Sequence, residues 1–134
     1  MAAGRYSFVL EQGTTVDFEL QYKDSNSVPI DLTNYTARME IRSTYSGSGD
    51  TYLVLTSSLG DTYTKQADSA FLSMSGSSLT TPTTSGSIGV YIGYELADSL
   101  TFATDAFYDL EITTGVSRTR VIEGRIALSR QTTS

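Results

Sequence analysis

The segment GTTVDFELQYKDSNSVPIDLTNYTARMEIR, Gly13 to Arg42, contains two runs of strict apolar–polar alternation. From about Thr15 to Lys23, Val16, Phe18, Leu20 and Tyr22 share one side, and Asp17, Glu19, Gln21 and Lys23 the other. From about Tyr35 to Arg42, Ala37, Met39 and Ile41 alternate with Thr36, Arg38, Glu40 and Arg42. A period of two is the mark of a strand with one buried face. Between the runs, Asp24-Ser25-Asn26-Ser27 is turn chemistry, because these side chains bond their own backbone. Pro29 suits a strand start or edge. The segment is therefore expected to be a strand, a turn, a Pro-marked return and a second strand paired with the first. Arg38 and Arg42 would then face Asp17 and Glu19, each pair worth about 0.2–1 kcal/mol.

Outward from this segment the same pattern recurs. Upstream, Tyr6, Phe8 and Leu10 share a face of a short edge strand or of an extended arm over residues 1–12. Downstream, strands are expected at 52–56, weakly at 71–74, at 88–94, at 107–113 and at about 118–128, with a bulge at Gly124. Leu96 to Leu100 suits one helical turn, Thr114-Gly115 a tight turn, and 62–70 an irregular crossing or a helical turn. The Ser/Thr/Gly stretches 43–51 and 75–87 are expected to be surface loops, the second a mobile one. The count is roughly seven strands at the spacing of a β-sandwich. The expectation is one all-β domain over 13–129, a single antiparallel sandwich, with a polar tail at 130–134.

Composition narrows the function. With no Cys and no His, disulfides, thiolate zinc sites and the commonest general base are excluded. A net charge of −6 argues against nucleic acid, whose phosphates need clustered Lys and Arg. The apolar run Phe8 to Leu10 is too short for a signal core, and no segment approaches membrane length, so no membrane partner is expected and the chain reads as cytoplasmic in origin. The carboxylate pairs Asp17/Glu19 and Asp109/Glu111 lie on the polar faces of strands rather than in a cleft. Asp24-Ser25-Asn26 begins like a calcium loop but has Pro29 where the loop needs its Gly, and no closing Glu. No catalytic residue, metal or cofactor is expected. Of nine tyrosines, most are expected to fill the core with their hydroxyls at its edge. Tyr45, Tyr52, Tyr63 and Tyr94 lie near loops or strand ends and are candidate contact residues, together with Tyr6, Phe8 and Leu10 of the arm.

Three segments carry a resemblance. They are Pro29-Ile30-Asp31-Leu32-Thr33-Asn34-Tyr35-Thr36-Ala37-Arg38-Met39-Glu40-Ile41-Arg42, then Tyr108-Asp109-Leu110-Glu111-Ile112-Thr113, then Val121-Ile122-Glu123-Gly124. They resemble small structural proteins of tailed bacteriophages, notably cyanophage-like ones. In those, Pro-(Ile/Val)-Asp-Leu-Thr-Gly-Tyr-Thr-Ala-Arg-Met-Gln-Ile-Arg precedes Tyr-Asp-Leu-Glu-Leu-Thr and Leu-Leu-Glu-Gly. The plan is also similar to the N-terminal Ig-like domain of phage upper baseplate proteins. Asn34 stands where the pattern has Gly, a replacement Asn allows at a left-handed turn position. The resemblance covers the two ends, about half of the chain. It implies an Ig-like sandwich and a non-enzymatic virion protein, assembled in the host cytoplasm and oligomeric in the particle. Its partners would be tail, baseplate or capsid proteins. A capsid decoration protein is the alternative within that class, and a carbohydrate-binding module contacting host glycans the alternative outside it.

Overall fold

The computed structural model describes residues 4–11, 13–43, 51–57, 64–100 and 105–129. Nine strands occur among them: β1 (Gly4–Arg5), β2 (Phe8–Glu11), β3 (Val16–Gln21), β4 (Thr36–Arg42), β5 (Thr51–Thr56), β6 (Ala70–Ser73), β7 (Ser87–Ile92), β8 (Asp105–Thr113) and β9 (Arg118–Ser129). A short helix, α1 (Tyr94–Ser99), and a 3-10 turn at Thr83–Ser85 complete the regular structure. The chain is mostly β, as expected. The large sheet runs β1-β9-β8-β4-β5, with β2 also on β9, and the small sheet runs β3-β7-β6. One core joins them: Met39, Ile41, Leu55, Leu110 and Ile126 of the large sheet meet Leu72, Ile88, Val90 and Ile92 of the small one.

Alternation placed both strands of the opening segment correctly but not their pairing. β3 and β4 are not partners: β3 pairs with β7, and β4 lies between β5 and β8. Arg38 and Arg42 accordingly face Glu111 and Phe107, not Asp17 and Glu19. The period fixes which face of a strand is buried and leaves its neighbour open.

The connection 22–35 is a crossing between sheets, built in two steps. First, Asp24 Oδ1 accepts from the amides of Asn26 and Val28, and Lys23 bridges Pro29. Ser27 takes φ 64° at the tip. Second, Leu32, 1 % exposed, drives into the core while its amide bonds Thr83 O. Asp31 Oδ1 accepts from the amide and the hydroxyl of Thr33, which hold its carboxyl below the usual carboxylate range. The amide of Tyr35 closes the turn on Leu32 O. Asn34 at φ 68° sits in the left-handed region, the property expected of it.

Three further expectations are corrected. The assembly is not wholly antiparallel: β1 and β2 run parallel to β9, joining the start of the domain to its end. The bulge on β9 falls opposite Leu110/Glu111, near Val121, and not at Gly124. The stretch 75–87, expected to be mobile, is laced to the small sheet. Ser77 N bonds Glu19 Oε1, Thr81 N bonds Ser75 O, and Gly89 lies so close to the Gly76 backbone that a Cβ would collide. With the segment 64–69 beside it, this stretch covers the outer side of β7, all six of whose residues are buried.

Asn34→Val should lower the unfolding free energy by about 1–2 kcal/mol, the cost of a left-handed β-branched residue, while Asn34→Gly should be close to neutral. Urea unfolding of both variants beside the parent checks this.

Candidate functional site

The N-terminal strand is docked on its own domain. Tyr6 N bonds Glu123 O at 3.1 Å, and Ser7 Oγ accepts from Arg125 N at 3.3 Å. Leu10 is fully buried. The Phe8 ring is 5.0 Å from Phe18 and 5.4 Å from Tyr108, centroid to centroid, bringing β2, β3 and β8 together. Tyr6, 44 % exposed, leans on Phe8 and Phe18 at the rim of this cluster. Beneath it the Tyr108 hydroxyl, on a ring 2 % exposed, donates to Tyr6 O at 2.5 Å. Gly124 makes that approach possible, because a Cβ there would strike the Tyr6 carbonyl and crowd the Tyr108 ring. The glycine expected to mark a bulge marks a close backbone approach instead, the other meaning of a strand glycine.

Of the other candidate contact residues, Tyr52 is half-buried against the core, and Tyr94 is 49 % exposed at the start of α1. Tyr45 and Tyr63 lie outside the described residues. Core-filling describes most of the described tyrosines: Tyr91 and Tyr108 are buried, with Tyr91 bonding Gln66 O at 2.8 Å, and Tyr22 and Tyr35 pack on the core.

The outer face of the large sheet carries a charge lattice. Register sets Arg38, Glu111 and Arg120 in one row across β4, β8 and β9; Glu40, Asp109 and Glu123 in the next; and Arg42, Phe107 and Arg125 in the third. A row of three carboxylates thus lies between rows rich in arginine. Glu40 is held by both Arg38 and Arg42, Asp109 by Arg120 at 3.5 Å and Glu111 by Arg118 at 3.9 Å. Asp109 and Glu111 are less solvated than a polar strand face implies, since both, like Glu40, are half-buried. Burial pushes the Asp109 carboxyl above its usual range, Glu111 and Glu123 add to this, and Arg120 and Arg42 oppose it. Asp17 and Glu19, by contrast, are exposed, with Asp17 paired to Lys65 at 2.8 Å. Among the described residues no group of carboxylates is placed to hold a metal ion. No helix among them is long and apolar enough to cross a membrane.

A cavity of about 350 Å³ opens at the seam where β3 faces β9. Its buried side is formed by Ile88 and Leu110, its half-buried side by Leu20, Val121 and Ile122. Lys23 and Arg120, both exposed, stand at its mouth. Neither cation stood out in the sequence, because the seam exists only once β3 and β9 are in different sheets.

No protein-family model and no curated protein matches this chain. The geometry is one of sheet edges, packed rings and paired charges.

Two substitutions probe these features. Gly124→Ala should cost about 1–3 kcal/mol through overpacking and speed amide exchange over Tyr6 to Leu10. Gly115→Ala, with open space around it, should change stability by less than about 0.5 kcal/mol. The raised pKa of Asp109 means the folded state holds that proton more tightly than the unfolded chain. Its contribution to stability is therefore greatest below the ordinary carboxylate range and falls as pH rises through the elevated value. Asp109→Asn should accordingly stabilise the domain more at neutral pH than in mild acid, by urea unfolding at both.

Proposed function

We propose that this chain is a non-enzymatic virion structural protein of a tailed phage, an assembly module of the tail or baseplate. Its two sheets are read as an Ig-like sandwich. Support for the fold comes from strand order: β9-β8-β4-β5 opposite β3-β7-β6 follows the G-F-C-C′ and B-E-D sheets of that plan, with the first strand parallel to the last.

One observation carries the functional proposal: the positions of the three resembling segments. They fall on the crossing turn and on β4, β8 and β9, three strands adjacent in one sheet. Their residues meet physical needs there. Asp31 and Thr33 tie the turn, Leu32 anchors it and Asn34 supplies the positive φ. Ala37, Met39, Ile41, Leu110 and Ile112 form the core wall, and Tyr108 and Gly124 seat the N-terminal strand. A shared pattern at such positions supports reading the scaffold as one held in common with those phage proteins.

Docking is then left to groups the scaffold does not consume. Among the exposed large apolar groups are Val116, 97 % exposed on the β8–β9 connection, Val9 and Val28, and the tyrosines Tyr94 and Tyr6. Among the described residues the outer edges of β3, β5 and β6 have no partner strand, and an unpaired edge templates further pairing.

Mass spectrometry of purified particles from a phage carrying this gene should find the chain at fixed stoichiometry. A few to a few dozen copies indicate the tail or baseplate, and hundreds a capsid decoration role. Absence from the particles overturns the virion assignment. Tyr94→Ala should reduce incorporation without lowering stability by more than about 0.5 kcal/mol.

A further inference from the structure

The seam between β3 and β9 is closed along only part of its length. Toward Val16 and Phe18 the N-terminal strand covers it, with Phe8 and Tyr6 over Phe18. Toward Leu20 and Lys23 it opens into the cavity described above. The opening combines three properties that belong together in a binding groove.

First, the backbone at its margin has spare hydrogen-bonding capacity. β3 is an edge strand, with β7 on one side and no strand on the other among the described residues. Tyr22 N bonds Gly86 O, which fixes the phase of the ladder: Leu20, Phe18 and Val16 direct their backbone groups to β7. The N–H and C=O groups of Gln21, Glu19 and Asp17 therefore point away from the sheet. Second, the floor is apolar and only half covered, since Leu20 and Ile122 remain partly exposed above Ile88 and Leu110. Third, the mouth is cationic in a chain of net charge −6. Lys23 makes no ion pair among the described residues, and Arg120 stands beside it with its Nε 3.5 Å from Asp109.

We propose that this seam is a docking groove for an extended segment of a partner protein. The segment adds as a strand along Glu19 to Gln21 of β3, seats alternate apolar side chains over Leu20 and Ile122, and places a carboxylate at the Lys23–Arg120 end. Strand addition draws affinity from main-chain bonds and selectivity from alternate side chains, and the charge at the mouth selects an acidic segment. The opposite end of the β3 edge carries Asp17, already neutralised by Lys65, and Glu19, already bonded to Ser77 N. The acidic residue of the partner thus belongs at the Lys23 end.

This deepens the reading of the chain as an assembly module and rests on it in taking the occupant to be protein. The test is a titration of isotope-labelled full-length protein, followed by amide spectra. The probe is an end-capped peptide, Thr-Val-Asp-Val-Asp-Ile-Thr, and the comparison peptide has Lys for both Asp. The acidic peptide should shift amides at Glu19 to Lys23 and Thr119 to Ile122 and slow exchange at Glu19 and Gln21. Lys23→Glu should weaken it about tenfold, while Thr80→Glu, exposed on the stretch outside β7, should leave it unchanged. Equal binding of the two peptides, shifts elsewhere, or no shifts at millimolar peptide overturns the proposal. So does a peptide-free protein whose seam amides shift with its own concentration, which would make the occupant a second copy. Particle composition is measured independently, so a failed titration and a failed virion assignment remain distinguishable.

Discussion

The burial of Leu32 is the constraint on which the architecture turns. Between β3 and β4 the chain must leave one sheet and enter the other. A loop that simply spanned the gap would leave its backbone polar groups to be satisfied one by one. Here the crossing is anchored by an apolar side chain in the core, with its amide on Thr83 O and an Asx-type turn on Asp31 before it. Once that point is fixed, β4 is delivered to the middle of the large sheet, where β5 and β8 flank it, and β3 is left at the margin of the small one. The open seam beside β9 follows from that placement.

The parts of the fold visible in the sequence were those governed by local periodicity. The strand positions, the turn at Asp24, the left-handed Asn34 and a helical turn, expected at Leu96 to Leu100 and found at Tyr94–Ser99, are each decided by a few consecutive residues. Pairing was not visible, because Val16, Phe18 and Leu20 present the same alternation whether their neighbour is β4 or β7. Gly124 was noticed for the right reason in general and the wrong one in particular. A strand glycine signals either a bulge or a close approach, and only the arrival of Tyr6, far away in sequence, decides between them. The arm residues Tyr6 and Phe8 were likewise legible as apolar, but not as members of an aromatic cluster with Phe18 and Tyr108, nor was Leu10 legible as fully buried.

Charge shows the same division. The sequence displays an acidic chain, whereas the fold concentrates its arginines. Arg38, Arg42, Arg118, Arg120 and Arg125 all lie on β4 and β9, interleaved with the carboxylates of Glu40, Asp109, Glu111 and Glu123. Gathering most of the cations on one sheet face leaves the remainder of the surface more acidic than the net charge suggests. The lattice is nearly balanced, so its contribution to stability is small next to the apolar core it covers.

The parallel seating of the first strand on the last has a consequence for how the molecule is made. Gly4 pairs with Ile122, so β1 must wait until β9, the last of the described strands in chain order, has been made before its partner exists. Contacts of such sequence separation slow folding, since loop-closure entropy must be met before they form. Until then the edge of β9 and the apolar bed of Phe8 and Leu10 stand open, the condition in which nascent chains pair wrongly with one another. Tyr108, held in the middle of its strand, offers the late-arriving Tyr6 carbonyl a single well-placed donor, which gives that last closure one register to find.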